Sequence, residues 1–309
     1  MLRIVKAGLQ ATLQGKPRKG WRHMGLPASG PADEVSMALA NRLVENPPYD
    51  TCIEISFGGF RAEIEQGCSI AITGATGPLS LSGEQARAYE TLHLKAGTTL
   101  SIEPPSKGVR AYLAIASGFK AIDQFGSTST YLPAQFGGLN GRALKEGDRL
   151  STNRPQRLKK TYETPEQLRP RLTNSFAIRT CPSAEIDALD NMSREILFSE
   201  SFSAGRQMTR MGFGLEGHRL SVDRTGLMKS APVFPGTIQC PPSGTPIVLS
   251  CDAQTTGGYP RIASVARCDR HLLGQVRPGD KIRLLERTPE AAANDYIAKR
   301  DLLQSWLLD

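Results

Sequence analysis

The chain has 309 residues, a formal net charge of +8 and 39% hydrophobic residues. That length buries a large core without disulfide or metal staples and predicts two domains at roughly 100–200 residues each. No run approaches the ~18 apolar residues of a membrane span, so neither a membrane protein nor a membrane partner is expected. The basic charge is spread out and no nucleic-acid-binding module accompanies it, which argues against a nucleic-acid partner.

The six cysteines, Cys52, Cys68, Cys181, Cys240, Cys251 and Cys268, form no C-x-x-C pair and no zinc spacing with histidine. They read as reduced thiols. The first residues, Met-Leu-Arg-Ile-Val-Lys, lack the apolar core of a signal peptide, so a cytoplasmic location is expected. Thirty glycines and 21 prolines predict frequent turns and short strands.

Leu2 to Val5 reads as a short strand, and a glycine- and arginine-rich loop follows from Gly15 to Gly30. Pro31, Asp33 and Glu34 predict a helix over 31–45, with Val35, Leu39 and Leu43 on one face and Pro47-Pro48 as the stop. Strand-like runs then recur at Cys52–Phe57, Ser69–Thr73, Leu79–Ser82, Thr98–Ile102 and Val109–Ile115. This rhythm predicts a sandwich or barrel rather than a doubly wound sheet. Arg154 to Arg171, with three prolines and little apolar content, reads as a solvated connector.

A second β-rich region begins near Asn174. Ser183 is placed to cap a short helix through Leu189. Further strands are expected at Arg219–Val222, Thr237–Gln239, Ile247–Cys251, Ile262–Val265 and Lys281–Leu285. Thr288-Pro289-Glu290 opens a last helix with Tyr296, Leu303 and Leu307 on one face. The expected organisation is therefore an N-terminal β module (1–170), a C-terminal β module (171–288) and a terminal helix (289–309). Three turns, Lys95-Ala96-Gly97, Lys145-Glu146-Gly147-Asp148 and Arg277-Pro278-Gly279-Asp280, feed strands in a similar way, as two β modules of similar build would require.

The segment richest in chemistry runs from Pro235 to Pro260. An apolar strand ends abruptly in Asp252, Gln254, Thr255 and Thr256, followed by Gly257, Gly258, Tyr259 and Pro260. Polar groups concentrated at a strand end beside exposed amides suit a small polar ligand at a barrel mouth. They equally suit a tight hairpin that satisfies its own backbone. The glycines are expected to adopt conformations barred to other residues. In the first loop Arg18, Lys19, Arg22 and His23 precede a helix N-terminus, where a carboxylate or phosphate could bind, or where a basic loop could simply be solvated. Asp33 and Glu54 read as helix-capping or Arg-paired carboxylates before they read as acid–base groups. No G-x-x-x-x-G-K-[ST] loop, no Ala-Met-Lys-Met biotin acceptor and no G-x-S-x-G elbow occurs in the sequence, and the histidines show no metal spacing.

Asp252-Ala-Gln-Thr-Thr-Gly-Gly-Tyr-Pro260 resembles the signature of the allophanate hydrolase subunit 2-like family. That family includes the C subunit of 5-oxoprolinase, the regulator KipA and the carboxyltransferase region of urea carboxylase. Further matches are Arg22-His23, Ser29-Gly30 and Asp33, Ala40-Asn41-Arg42-Leu43, Ile72-Thr73-Gly74-Ala75, Arg110-Ala111-Tyr112-Leu113-Ala114, Gly126 to Thr130, Arg210-Met211-Gly212 and Leu215-Glu216-Gly217. The chain departs from the family's pattern at Gly15, Pro17, Ala32, Ser183, Gly214 and Ala231, which removes charge from several loops.

The resemblance implies a mostly β fold of two cyclophilin-like barrel modules with a few short helices. It implies ATP-driven opening of 5-oxoproline to glutamate, with ATP and Mg handled in a complex with B-type (KipI-like) and A-type partners, and no biotin on this chain. Asp252, Gln254, Thr256 and Tyr259 are then the expected catalytic, lactam-orienting residues. Arg18, Arg22, His23, Arg210 and Gln239 are the expected substrate- or phosphate-binding ones. A carboxyltransferase-like role in a urea or allophanate pathway and a non-catalytic KipA-like regulator are the alternatives.

Overall fold

The structure is a computed structural model that describes residues 1–154, 156–222 and 228–307. The chain divides into two compact units. The first comprises Met1–Arg18, Ser29–Leu172 and the chain end from Trp306; the second comprises Lys19–Ala28 and Thr173–Ser305. Part of the basic first loop therefore belongs to the second unit, although it lies in the first module in sequence.

Strands β1 (Leu2–Ala7), β4 (Phe60–Ile64), β6 (Leu79–Leu81), β7 (Glu84–Ala86), β9 (Thr99–Ile102) and β11 (Arg149–Leu150) form one antiparallel sheet of the first unit, in the order β11-β1-β4-β9-β6-β7. The other, in the order β2-β3-β10-β5-β8, contains β2 (Gln10–Gln14), β3 (Cys52–Ser56), β5 (Cys68–Gly74), β8 (Thr91–Leu94) and β10 (Arg110–Ile115). Alternate residues of both sheets meet in one core that includes Leu2, Ile4, Leu13, Ile53, Ile55, Phe60, Ile72, Leu100 and Leu113. Helix α1 (Glu34–Leu43) covers the opposite face of the five-stranded sheet, packing Met37, Ala40 and Leu43 on Cys52, Ala71, Tyr112 and Ala114. Sandwiched on both faces, β3 and β5 are buried at every position.

That double burial explains Glu54, which sits inside β3 at 3% exposure. Its Oε2 accepts from the Tyr112 hydroxyl at 2.7 Å and from the Ala32 amide at 2.9 Å, and Arg110 lies 3.4 Å from Oε1. Burial and the neighbouring Glu54 charge push the Tyr112 hydroxyl well above its ordinary pKa. Asp33 is the N-cap of α1, accepting from the Ser36 amide at 2.9 Å. Both carboxylates are structural. Pro31 lies before the cap rather than in the first helical turn.

Seven strands close the second unit into a barrel: β12 (Ser175–Pro182), β13 (Ser201–Ala204), β14 (Gly212–Glu216), β16 (Thr237–Gln239), β17 (Ile247–Leu249), β19 (Arg261–Val265) and β20 (Lys281–Glu286). The order around it is β12-β19-β16-β17-β14-β13-β20, and β12–β20 is the parallel pair. Its interior holds Phe176, Ile178, Phe202, Leu215, Ile238, Val248, Ile262 and Ile282. A two-stranded ribbon pairs β15 (Ala231–Pro232) with β18 (Thr256–Gly257). Helix α2 (Asn191–Ser199) is capped by Asp190, and α3 runs over Pro289–Leu307.

The mostly β expectation holds. One unit closes as a barrel, and the strands of the other form two sheets packed face to face. Four local expectations are corrected. Ser183 caps no helix among the described residues; only a short 3-10 turn, Ile186–Ala188, forms there, and the regular helix is α2, started by Asp190. Arg219–Val222 contributes a single bridge, Leu189 to Val222. The Ile247–Cys251 strand stops at Leu249. The connector is not simply solvated: Leu158 and Tyr162 pack with the α1 core, and the Leu158 amide donates to Ser69 Oγ at 2.9 Å. Its sparse apolar residues fall at packing positions, which composition does not reveal.

Candidate functional site

The signature segment lies in the second unit, between the end of β17 and the start of β19. After Leu249 the chain turns through Asp252, whose carboxylate meets Arg210. Arg210 Nε donates to Oδ2 at 2.8 Å and Nη2 to Oδ1 at 3.2 Å. The Asp252 amide also donates to the Arg210 carbonyl at 2.8 Å. Both side chains are buried, at 3% and 8% exposure. A buried pair with this bidentate geometry fixes a turn, and neither partner faces solvent. Arg210, expected to bind an anion, and Asp252, expected to orient a ligand, brace each other in this turn.

Gln254, Thr256 and Tyr259 follow on the same turn and are exposed. Thr256 pairs with Pro232 in the ribbon, and the Val233 amide donates to the Thr255 carbonyl at 3.1 Å. Behind them Gln239, 2% exposed, donates to the Tyr259 carbonyl at 2.9 Å. Gln239, expected to bind substrate or phosphate, thus holds the loop from behind. Neither Gly257 nor Gly258 has a positive φ, contrary to expectation. Gly257 is needed for close approach: a Cβ there would lie 2.7 Å from Gln239 Nε2. The ribbon has a second brace, Arg261. It donates to Glu185 Oε2 at 2.7 Å through Nε and to the Pro232 carbonyl at 3.1 Å through Nη1. The Arg261 hydrogen bond holds the Glu185 carboxyl below its ordinary range.

Arg22 joins this group from the segment Lys19–Ala28. A short 3-10 turn, Arg22–Met24, ends at Gly25 in the left-handed region (φ 78), whose amide returns to the Arg22 carbonyl at 3.0 Å. The turn directs the guanidinium to the ribbon. Nη2 donates to the Val233 carbonyl and, at 3.3 Å, to the Gln254 carbonyl. Cζ lies 5.1 Å above the Phe234 ring centroid. Burial lowers the Arg22 pKa.

His23, next to it, is exposed. Arg18 belongs to the first unit, where at 3% exposure it donates to the Gln124 and Ser129 carbonyls. Of the expected residues, the structure brings Arg22, Gln239, Asp252, Gln254, Thr256, Tyr259 and Arg210 together on one stretch of the barrel unit. Sequence reading missed Val233, Phe234, Glu185 and Arg261. Phe234 stands beside Pro235 and Gly236, a turn signal that could have marked it; no local signal marks the Glu185–Arg261 pair.

Among the described residues no group of three His, Cys, Asp or Glu side chains is placed to hold a metal. A groove of about 510 Å³ opens elsewhere, lined by Pro182, Ile186, Glu195, Phe198, Arg283 and Glu286. It shares no residue with the signature segment, so the two features are separate.

The second unit is thus a closed seven-stranded barrel with a polar, braced turn at one strand end, beside a carbonyl-held arginine. Residues 24–286 match the carboxyltransferase domain family, subdomains A and B, and the chain belongs to that family. It is 35% identical over 292 residues to the C subunit of 5-oxoprolinase from Escherichia coli, covering 94% of this chain and 93% of the relative. To the corresponding C subunit of 5-oxoprolinase from Haemophilus influenzae it is 33% identical, over 92% of this chain and 90% of the relative. The crystal structure of the K. lactis urea amidolyase superposes with a TM-score of 0.92 at 26% identity, over 99% of this chain. The chain spans about a fifth of that larger protein, 20% of its length.

Proposed function

We propose that the chain is the C subunit of an ATP-dependent 5-oxoprolinase and acts with B-type and A-type partner subunits to convert 5-oxo-L-proline to L-glutamate. The observation that carries this reading is the near end-to-end likeness to two proteins named as C subunits of 5-oxoprolinase, together with the exposed Gln254, Thr256 and Tyr259 beside Arg22. A lactam is a stable amide, and its opening needs the carbonyl polarised and the developing charge stabilised, not a strong protein nucleophile. Gln254, Thr256 and Tyr259 supply neutral hydrogen-bonding groups to orient the lactam. Arg22, with His23 at its side, supplies positive charge. Asp252–Arg210, Gln239 and Arg261–Glu185 hold the loop that presents them. ATP serves as co-substrate of the complex, and no biotin is attached to this chain.

Two other readings have observations in their favour. A carboxyltransferase-like role on urea or another amide is supported by the close superposition on the urea amidolyase structure. A non-catalytic regulatory role is supported by the commitment of Arg210 and Asp252 to each other. Purified complex of all three subunits, measured for 5-oxoproline-dependent ATP hydrolysis, separates them. The reading expects activity that disappears when this chain is omitted. Activity that survives the omission refutes it. Activity only with a biotinylated carrier supports the carboxyltransferase role, and a stable inactive complex supports the regulatory one.

A further inference from the structure

Among the described residues three arginines reach the ribbon and loop of the barrel unit, and two of them are paired with carboxylates. Arg210 is paired with Asp252 and Arg261 with Glu185. Arg22 is different. No carboxylate among the described residues pairs with it. Its Nη2 rests on two backbone carbonyls, its Cζ stands over an aromatic ring, and its Nη1 is buried without a hydrogen-bond acceptor among the described residues. Carbonyl oxygens and a ring quadrupole orient a guanidinium without cancelling its charge. A buried N–H with no acceptor is costly unless a ligand supplies one.

We propose that Arg22 and Phe234 form a carboxylate subsite, in which Arg22 binds the carboxylate of the lactam substrate and Phe234 positions and shields the guanidinium. This inference rests on the reading of the site as one for 5-oxoproline, and it adds which end of the substrate the arginine holds. One guanidinium edge matches the single charge of a carboxylate. The neutral Gln254, Thr256 and Tyr259 are then left for the ring amide. Val233 and Gln254 hold Arg22 through backbone, which is fixed by the ribbon and its turn. Phe234, 52% exposed, is the cover that yields when a ligand oxygen reaches Nη1. Before a ligand arrives the ring keeps water from the guanidinium, so the ligand oxygen meets a charge in low-dielectric surroundings, where the attraction is stronger.

The test compares 5-oxoproline with 2-pyrrolidinone, the same lactam without its carboxylate, by calorimetry on the full-length chain and by competition in the three-subunit complex. The wild type binds the acid at least about tenfold more tightly, as expected of a charge-assisted hydrogen bond. R22A removes this preference, and R22K retains part of it. F234A weakens acid binding about threefold or more, F234Y restores it, and in the complex R22A and F234A raise KM for 5-oxoproline while KM for ATP stays fixed. Circular dichroism confirms that each variant is folded, and R22K and F234Y serve if R22A or F234A is not. Equal binding of the two lactams, or a preference that survives in R22A, overturns the subsite. The two inferences fail separately. A complex inert on 5-oxoproline, built on a chain whose acid preference depends on Arg22, refutes the proposed function and leaves the subsite standing. An active complex whose R22A variant keeps its KM for 5-oxoproline refutes the subsite alone.

Discussion

Asp252 is the position where a structural and a catalytic role predict different outcomes. Its carboxylate is bidentate on Arg210, with both side chains under one-tenth exposed. Asp252→Ala leaves the Arg210 guanidinium buried without this partner, and breaking such a pair costs about 3–5 kcal/mol. For a domain of this size each kcal/mol lowers Tm by roughly 2–4 °C, so the barrel unit should melt roughly 6–20 °C lower. Replacing both residues, Asp252→Ala with Arg210→Met, removes the stranded charge and should recover at least about 1 kcal/mol relative to the sum of the single variants. Urea denaturation of wild type, both single variants and the double variant measures the coupling. A brace predicts that stability and activity fall together and that coupling is large. An Asp252→Ala chain that loses under about 1 kcal/mol while the complex loses all turnover would refute the brace and restore Asp252 as a group that touches substrate.

Three further predictions rest on the same geometry. Gly257→Ala places a methyl group 2.7 Å from the Gln239 amide, so the hydrogen bond to Tyr259 must break; KM for 5-oxoproline should rise several-fold in the complex, with Tm lowered by only a few degrees. Glu185 has a folded pKa below its ordinary 4.5, so its stabilisation is fully present above that value and is lost as pH falls through the lowered folded value. Glu185→Gln should therefore flatten the acid side of the stability–pH profile below about pH 4.5, and an unchanged profile would contradict the pairing with Arg261. Trp306→Ala removes one of the two rings that Arg42 lies over, Trp306 at 5.0 Å and Tyr162 at 4.8 Å. It should cost about 1–2 kcal/mol and speed amide exchange in the last turn of α3, which hydrogen-exchange mass spectrometry would detect.

Much of the fold is legible locally. Cys52–Phe57, Ser69–Thr73 and Val109–Ile115 are read as strands because two-sided burial leaves continuous apolar runs, and they match β3, β5 and β10. Helix α1 announces itself through Asp33 and its apolar stripe. Strands β2, β4 and β13 are missed because Gln10–Gln14, Phe60–Ile64 and Ser201–Ala204 are short and carry polar or small residues whose burial depends on neighbours distant in sequence. The signature turn is legible as a concentration of polar residues beside glycines. Its internal division of labour is not, since Arg210 and Asp252 are 42 residues apart and only barrel closure brings them within hydrogen-bonding distance.

The sequence alone determined the mostly β class, the first and last helices, the family likeness and the segment where exposed polar residues gather. These follow from local periodicity, capping chemistry and a run of adjacent residues, all of which are written along the chain. Only tertiary structure decided which charges are cancelled. It paired Arg210 with Asp252 and Arg261 with Glu185, set Arg18 on carbonyls in the other unit, and left Arg22 over Phe234 with no carboxylate among the described residues. Whether a side chain's charge is compensated in a fold depends on what packs against it, and packing partners are chosen by closure of the sheet rather than by proximity in sequence.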